Sequence, residues 1–269
     1  MFTKIPHLLL ISLLILSSTV FPQCRAAPGT EEAENEREFA YIGNAKIGPK
    51  EWGKIHPEWA TCSNGQVQSP IDISSSGAEG KRDLGILEAK YKAAPASVKN
   101  RGHDIMVSWR GDAGGIRING TDYSLKQLHW HCPAEHTFDG IRRQMEVHLV
   151  HETPQGKIAV VAITYGYGQP DRFLDTVIPN IADIGEEDKT IGVVDPRGVV
   201  ISTKQYYRYI GSLTVPPCTE GVVWTIMKEV KTVSAKQVRA MREAVHDNAE
   251  ENARPVQQNK GRKVWSSLL

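Results

Sequence analysis

The 269-residue sequence has almost no imbalance of charge. Lys and Arg number 32 against 31 Asp and Glu, so the net charge at pH 7 is +1. A chain this close to neutral has no large electrostatic attraction for a phosphate backbone, and we expect no nucleic-acid partner. Hydrophobic residues make up 40% of the sequence and charged residues 23%. This composition is ordinary for a globular protein that buries a sizeable core.

Long hydrophobic runs are also missing, apart from one near the N-terminus. Residues 8–21 are apolar but too short to span a bilayer comfortably. Lys4 precedes this run, and the small residues Ala26 and Ala27 follow it. The pattern is typical of a secretory signal peptide, which we predict at residues 1–26, with a membrane anchor as the alternative. We therefore expect the protein in the secretory pathway: outside the cell or in the apoplast, or in a vacuole or plastid reached by that route, with no membrane attachment after cleavage.

No linker, internal repeat or low-complexity run divides the remainder of the chain. Residues 30–38, TEEAENERE, are acidic and almost without apolar side chains. Such a composition cannot bury enough apolar surface to order itself, so we predict an acidic flexible tail at residues 27–40. Residues 41–269 are predicted to form a single domain.

Strand patterns dominate this domain. Residues 158–165, IAVVAITY, form a continuous β-branched run that is typical of a central buried strand. Asn119-Gly120 is a turn signal between two further strand patterns. The other predicted strands cover residues 115–119, 123–131, 145–151 and 222–227.

Helical patterns are few. Residues 234–246 have apolar side chains at helical spacing, and Ser234 with Gln237 forms a capping box. Residues 171–184 are a second candidate, interrupted by Pro179. Many strands with few short helices predict a sheet-dominated, mainly β single domain.

Cysteine is scarce, and one of the four cysteines lies in the predicted signal peptide. Cys62, Cys132 and Cys218 remain. Their odd number favours one disulfide and one free thiol in a secreted protein, and the sequence alone leaves three pairings open. Asn119-Gly120-Thr121 is an N-glycosylation sequon, and Asn119 is our candidate glycosylation site.

The segment HWHCPAEH, residues 129–136, concentrates three of the nine histidines. His129 and His131 are two residues apart, so on a strand they lie on one face. His148 in MEVHLVH is the third candidate, expected on a neighbouring strand. Three imidazoles with one open position are typical of a zinc site that activates water. The alternative for an isolated H-x-H motif is a pair of hydrogen-bonded structural histidines.

Two further polar residues favour the metal interpretation. Gln127 precedes His129 by two residues, and Glu146 precedes His148 by two, so each shares a strand face with a predicted ligand. Metal-bound histidines usually donate their second ring N–H to an amide or carboxylate. We therefore predict Gln127 and Glu146 as hydrogen-bond partners of the zinc ligands.

Seven motifs, in order, give the sequence a close resemblance to the α-class carbonic anhydrases. The resemblance covers residues 51–264 and is most similar to secreted plant members, the dioscorin- and nectarin-like branch included. It implies the fold of that family: a single domain built on a large, twisted, mostly antiparallel central sheet. The motifs are WGKIHPEW, QVQSPIDI, KNRGHDIMV, QLHWHCPAEHT, MEVHLVHE, GSLTVPPCTEGVVW and ARPVQQNKGR.

The resemblance implies an activity and roles for individual residues. One Zn²⁺ per chain, held by His129, His131 and His148, would provide a zinc-bound hydroxide that hydrates carbon dioxide reversibly to bicarbonate and a proton. Thr214 would orient this hydroxide and donate its own proton to Glu135, while His103 would shuttle protons. Hydrolysis of activated esters is an expected side activity. The implied substrate pocket is apolar and comprises Val150, Val160, Leu213, Val215, Val222 and Trp224.

The resemblance also implies a disulfide between Cys62 and Cys218 that steadies the loop carrying Thr214. Cys132 would then be free, and we expect a monomer or a dimer, the dimer formed through Cys132. If Cys132 instead turned inward as a fourth ligand, the zinc site would be structural.

Five positions depart from the family pattern, Cys132 after His131 among them, and a non-catalytic function remains open. Val215 replaces a frequent threonine, and Lys54, Met106 and Arg101 replace residues that order active-site water in some members. The competing function is that of a storage, nectar or carbohydrate-binding protein on the same fold, because a fold does not determine function.

Overall fold

The computed structural model describes residues 32, 36–42, 46–185, 187–200, 203–245 and 251–268. The predicted signal peptide lies outside these residues. The described strands are β1 (Asp72–Ile73), β2 (Glu79–Lys81), β3 (Glu88–Tyr91), β4 (Ala94–Asn100), β5 (Ile105–Trp109), β6 (Gly114–Ile118), β7 (Thr121–His131), β8 (Thr137–Phe138), β9 (Ile141–Arg142), β10 (Met145–Glu152), β11 (Ile158–Tyr167), β12 (Lys189–Val194), β13 (Tyr206–Ser212), β14 (Glu220–Met227), β15 (Lys231–Val233) and β16 (Trp265–Ser267).

Helices are short throughout the described residues. The α-helices are α1 (Trp52–Ile55), α2 (Thr61–Asn64), α3 (Arg172–Val177) and α4 (Ala235–Glu243). Short 3₁₀ helices cover Glu36–Glu38, Pro57–Trp59, Arg82–Leu84, Ile178–Asn180 and Pro196–Gly198. No helix of the described residues is long and apolar enough to cross a membrane.

One large sheet organises the fold, as the sequence predicts. Its main path runs β12-β4-β5-β7-β10-β11-β14-β13-β16-β2, with β6 and β3 added beside β7 and with β15 beside β11. Most neighbours are antiparallel, whereas β11 pairs with β14 and β15 in parallel and β16 pairs with β2 in parallel. A second, small sheet has the order β1-β8-β9. The mainly β fold with few short helices is therefore confirmed.

Local sequence explains the central strands. Residues 158–165 of β11 are buried at every position, in agreement with the prediction of a central strand from their continuous apolar run. Asn119 and Gly120 both have positive φ, 49° and 77°, in the tight turn between β6 and β7. This is the backbone that Asn-Gly favours in a two-residue hairpin.

The two predicted helices are present but shorter than predicted. The Ser234 side chain caps α4 in a complete capping box with Gln237. Asp171 caps α3 by accepting hydrogen bonds from the backbone N–H groups of Phe173 and Leu174. Beyond α3 the chain tightens into the 3₁₀ helix that contains Pro179, because proline cannot donate to an α-helical turn. Both helices bury apolar side chains in the larger core beside the sheet.

Residues 36–39 of the predicted tail pack against the domain that is predicted from Tyr41 onward. Glu36–Glu38 form a 3₁₀ helix, and Phe39 is buried against Trp52 and Trp59. The predicted flexible tail over residues 27–40 therefore includes a packed side chain, Phe39, and its boundary stays a prediction. A single aromatic side chain at position 39 anchors the acidic segment, which composition alone does not reveal.

The three cysteines of the domain separate into one disulfide and one buried thiol. Cys62 in α2 is bonded to Cys218 in the loop between β13 and β14. Cys132 is free and buried at 4% exposure in the larger core. Burial raises the pKa of the Cys132 thiol to about 12, so this side chain is both inaccessible and protonated at neutral pH. A dimer linked through Cys132 would require this part of the core to open.

Candidate metal centre and active-site cleft

Three buried histidines converge on adjacent central strands. His129 and His131 lie on the same face of β7, and His148 lies directly opposite His129 on β10. Their ring centroids are 5.0 Å apart for His129 and His131, 5.2 Å for His129 and His148, and 4.6 Å for His131 and His148. One nitrogen from each ring lies within 4.8 Å of the other two. All three side chains are 1% exposed.

Each ring nitrogen that faces away from the others has a hydrogen-bond partner. His129 Nδ1 donates to Gln127 Oε1 at 2.9 Å, and His148 Nε2 donates to Glu146 Oε1 at 2.8 Å. His131 Nδ1 donates to the backbone oxygen of Asn252 at 2.8 Å. These bonds select the tautomer that offers the other nitrogen to a metal.

The remaining nitrogens fit a metal ion. Nε2 of His129 and Nε2 of His131 are buried and have no hydrogen-bond partner among the described residues. Since Nε2 of His148 is bonded to Glu146, Nδ1 is the nitrogen that His148 can offer. A buried polar atom without a partner is costly and calls for an explanation, and three convergent imidazole nitrogens are a suitable zinc donor set.

The electrostatic environment keeps His129 and His148 neutral. Burial lowers the pKa of His148 to about 4, with a further lowering from His131 and an opposing effect of Glu146. Burial and the Arg101 cation together hold the pKa of His129 well below its usual value. Neutral imidazole is the form that binds a metal, so these ligands are available at neutral pH.

Glu146 organises the far side of the centre. Its Oε1 accepts from His148 Nε2 and from His136 Nδ1 at 2.6 Å, while Oε2 accepts from the backbone N–H groups of Glu135 and His136. Burial favours the protonated acid, yet these donors hold the pKa of Glu146 well below its usual value. The His136 ring also bonds the Tyr209 hydroxyl at 2.8 Å. His136 is therefore a structural histidine here, as is His151, which bonds Tyr91 and the Ala159 backbone oxygen.

Cys132 does not join the metal centre. Leu128, Trp130 and Cys132 alternate with the histidines and belong to the larger core on the other face of the sheet. Among the described residues, the group with ligand spacing that contains His129 and His131 consists of three histidines without a cysteine. This arrangement leaves a fourth position open, which is typical of catalytic rather than structural zinc sites.

Thr214 and Glu135 are both buried, but the expected hydrogen bond between them is not formed among the described residues. Glu135 Oε1 accepts from the backbone N–H of Arg254 at 2.8 Å. Its Oε2 is buried without a hydrogen-bond partner among the described residues and lies 3.7 Å from His131 Nε2. A carboxylate oxygen in this state is ready to accept a donor.

An apolar wall adjoins a cleft of about 410 Å³ that Gln127, Val150 and Leu213 help to line. Five of the six predicted pocket residues belong to one buried apolar cluster: Val150, Val160, Leu213, Val222 and Trp224. Val215 differs, because it packs with Phe39, Trp52 and the Cys62–Cys218 disulfide in a separate cluster. The resemblance predicts Val215 as a residue of the substrate pocket. In the structure, the buried contacts of Val215 connect the Thr214 loop to the N-terminal aromatic side chains.

His103 lies in a buried position next to the N-terminal segment. Its Nε2 donates to the Phe39 backbone oxygen at 2.6 Å, and its ring contacts the rings of Phe39 and Tyr41.

Of the departures from the family pattern, Arg101 and Met106 line the cleft, whereas Lys54 is exposed and paired with Glu51. Asn119 is exposed in its hairpin turn.

Sequence reasoning missed two buried residues near the C-terminus. Asn252 supplies the backbone acceptor for His131, and its side chain bonds the backbones of Cys132, His103 and Trp130. Arg254 holds Glu135 through its backbone and bonds Gln68, Ser69 and Cys62 through its guanidinium. Arg254 lies within the motif ARPVQQNKGR, and this motif is the sequence signal from which a role for Arg254 could have been predicted.

Comparison with known proteins agrees with this geometry. The family model described as eukaryotic-type carbonic anhydrase matches residues 47–268. Alpha carbonic anhydrase 4 of Arabidopsis thaliana is 47% identical, with 87% of each chain covered. Carbonic anhydrase Nec1 of Nesocodon mauritianus is 46% identical, again with 87% of each covered. The crystal structure of dioscorin complexed with ascorbate superposes with a TM-score of 0.82 at 42% identity, covering 85% of this chain and 97% of that one.

The family match spans most of the chain and coincides with the large sheet and the three convergent histidines. The chain therefore belongs to the eukaryotic-type carbonic anhydrase family, and its class of enzyme is carbonic anhydrase.

Proposed function

We propose that this protein hydrates carbon dioxide reversibly to bicarbonate and a proton, with one zinc ion held by His129, His131 and His148. The observation that carries the proposal is the convergence of three buried imidazoles, each with one nitrogen within 4.8 Å of the other two. When bound, zinc supplies Lewis-acid activation of a water molecule at neutral pH. The family is zinc-dependent, which supports this choice of metal.

The protein's own residues orient the reactants. Gln127, Glu146 and the Asn252 backbone hold the three imidazoles in the ligating tautomers. Glu135 is an acceptor only, so the Thr214 hydroxyl donates to it and keeps a lone pair that accepts a hydrogen bond from the attacking water. The unpartnered Oε2 of Glu135 supports this assignment.

The cleft provides the environment for the substrate, and a histidine outside its lining is the proposed proton shuttle. Carbon dioxide is apolar and binds against Val150, Leu213 and Trp224, which exclude water from one side. His103 is the proposed shuttle for the released proton, and it would have to turn away from the Phe39 backbone oxygen to reach solvent, because its side chain is buried. The same centre hydrolyses activated esters slowly, because an activated water attacks other accessible carbonyl groups.

The proposal includes entry into the secretory pathway and a glycan at Asn119. Similarity to plant carbonic anhydrases and the Cys62–Cys218 disulfide support an oxidising compartment. The alternative function is ligand binding or storage with reduced catalysis. The reason to test this alternative is the similarity of the chain to a dioscorin crystallised with ascorbate.

The experiment is stopped-flow hydration of carbon dioxide by the chain from residue 27, with zinc content measured on the same sample. We expect about one zinc per chain and rapid hydration, both lost in His131→Ala. His56→Ala is the matched control, because His56 is partly exposed and pairs with Glu38 away from the centre. Full zinc occupancy without hydration would overturn the catalytic proposal and favour the binding or storage function.

A further inference from the structure

The segment before the domain places one carboxylate against the metal centre. Glu32 Oε2 accepts from Gln127 Nε2 at 2.9 Å and from Arg101 Nη1 at 2.8 Å. The same oxygen lies 3.8 Å from His129 Nδ1. The Glu32 side chain is 9% exposed and lines the cleft. This acidic residue therefore contributes to the site although it precedes the predicted domain.

The contact with Gln127 has a consequence for His129. A glutamine amide has a donor end and an acceptor end of nearly equal shape, whereas a carboxylate is only an acceptor. With Glu32 on one side, the Gln127 amide nitrogen must face Glu32 and its oxygen must face His129. His129 then has to carry its proton on Nδ1, which leaves the lone pair on Nε2. With the amide reversed, Nδ1 would become the acceptor and Nε2 would be protonated, a form that cannot bind a metal.

Arg101 holds Glu32 in this position. Its guanidinium pairs with the Asp104 carboxylate through Nε at 2.8 Å and also through Nη2, so Nη1 is directed at Glu32. The backbone N–H of Glu36 donates to the Arg101 backbone oxygen at 2.9 Å, which ties the N-terminal segment to the same residue. The side chains of Arg101 and Asp104 are 3% and 1% exposed, so the pairs are shielded from solvent. A rigid, buried clamp of this kind can hold an adjacent carboxylate in one geometry.

We infer that Glu32 is a positioning residue for the metal centre, acting through Gln127 to keep His129 in the ligating tautomer. The inference rests on the proposed function. It gives Arg101, which departs from the family pattern, a role as the clamp for Glu32. Glu32 precedes residues 47–268, which match the family model, so the inference also assigns a role at the metal centre to a residue outside the family match.

The test is the zinc dissociation constant, measured by competition with a chromogenic chelator. Glu32→Gln removes the acceptor-only group and allows the Gln127 amide to reverse. We expect about tenfold weaker zinc binding, at the lower end of the roughly 10–100-fold effect of outer-shell partners. A chain lacking residues 27–35 should show the same loss. Glu38→Gln is the matched control, because Glu38 is in the same segment but pairs with His56.

A double-mutant cycle distinguishes positioning from general stabilisation. Gln127→Ala should weaken zinc binding, and adding Glu32→Gln to it should cause no further loss, because Glu32 acts through Gln127. Additive losses, or an unchanged dissociation constant in Glu32→Gln, would overturn the inference alone. Absence of zinc binding by the unmodified chain would overturn the proposed function as well. Thermal unfolding of each metal-free variant checks that the fold is intact.

Discussion

His129 on β7 and His148 on β10 are directly paired across two antiparallel strands, with ring centroids 5.2 Å apart. A shift of this register by one residue would move His148 to the opposite face of the sheet, into the larger apolar core. The metal centre therefore depends on strand pairing as much as on the presence of three histidines.

Replacing Glu146 should weaken zinc binding. Glu146→Gln keeps the shape of the side chain but loses the charge and one acceptor of a carboxylate that receives four N–H donors. We expect about 10–100-fold weaker zinc binding by chelator competition. The control is Glu88→Gln at an exposed position of β3, and an equal dissociation constant in both variants would contradict this role.

Filling the cleft should slow catalysis without removing zinc. Val150 is 9% exposed at the cleft and lies beside Val160 in the apolar wall. Val150→Phe adds a ring where carbon dioxide is proposed to bind, so kcat/KM should fall while zinc content stays near one per chain. Val193→Phe, on an edge strand and 70% exposed in the native chain, should change neither quantity. Unchanged kcat/KM in Val150→Phe would exclude this wall from the substrate path.

Loss of the disulfide should destabilise the domain. The Cys62–Cys218 bond joins residues 156 positions apart and connects the Thr214 loop to α2. We expect Cys218→Ser to lower the free energy of unfolding by about 2–5 kcal/mol, measured by urea denaturation. Cys132→Ala should leave this disulfide intact, as judged by thiol counting in the unfolded protein. If unfolded Cys132→Ala contained two reactive thiols more than expected, Cys62 and Cys218 would not be bonded, and the disulfide assignment would be contradicted.

Glu36 should make stability depend on pH. Burial and the neighbouring Asp104 raise the pKa of Glu36 to about 8, although Arg101 and His103 oppose this and Glu32 adds to it. Neither oxygen has a hydrogen-bond partner among the described residues. Between the ordinary value of 4.5 and about 8, the folded state holds a proton that the unfolded state has lost. Stability from this group therefore falls as pH rises through that window.

Glu36→Gln cannot ionise and should remove this dependence. The free energy of unfolding of Glu36→Gln is compared with that of the native chain at each pH. The difference in favour of Glu36→Gln should be larger at pH 9 than at pH 5 by at least about 1.4 kcal/mol, the equivalent of one pKa unit. Urea unfolding at both pH values provides the measurement, with exposed Glu58→Gln as the control. Parallel pH profiles for Glu36→Gln and the native chain would refute the effect.

Several features of the site were predictable from sequence because they are local. Alternation along β7 places His129 and His131 on one face and Trp130 and Cys132 on the other, and this period of two is visible in HWHC. The hairpin turn at Asn119-Gly120 and the capping box at Ser234 are equally local. The boundaries of α3 and α4 were less predictable, because helix ends depend on what packs beyond them.

The sequence by itself determined the donor types, the strand alternation and the order of motifs that identify the family. Only the tertiary structure decided which groups complete the centre. Asn252 reaches His131 across 121 residues, Glu32 reaches Gln127 across 95, and Phe39 covers His103. Neighbouring residues encode periodicity and turns, but contacts at such separations depend on how the whole sheet closes, and no local pattern records them.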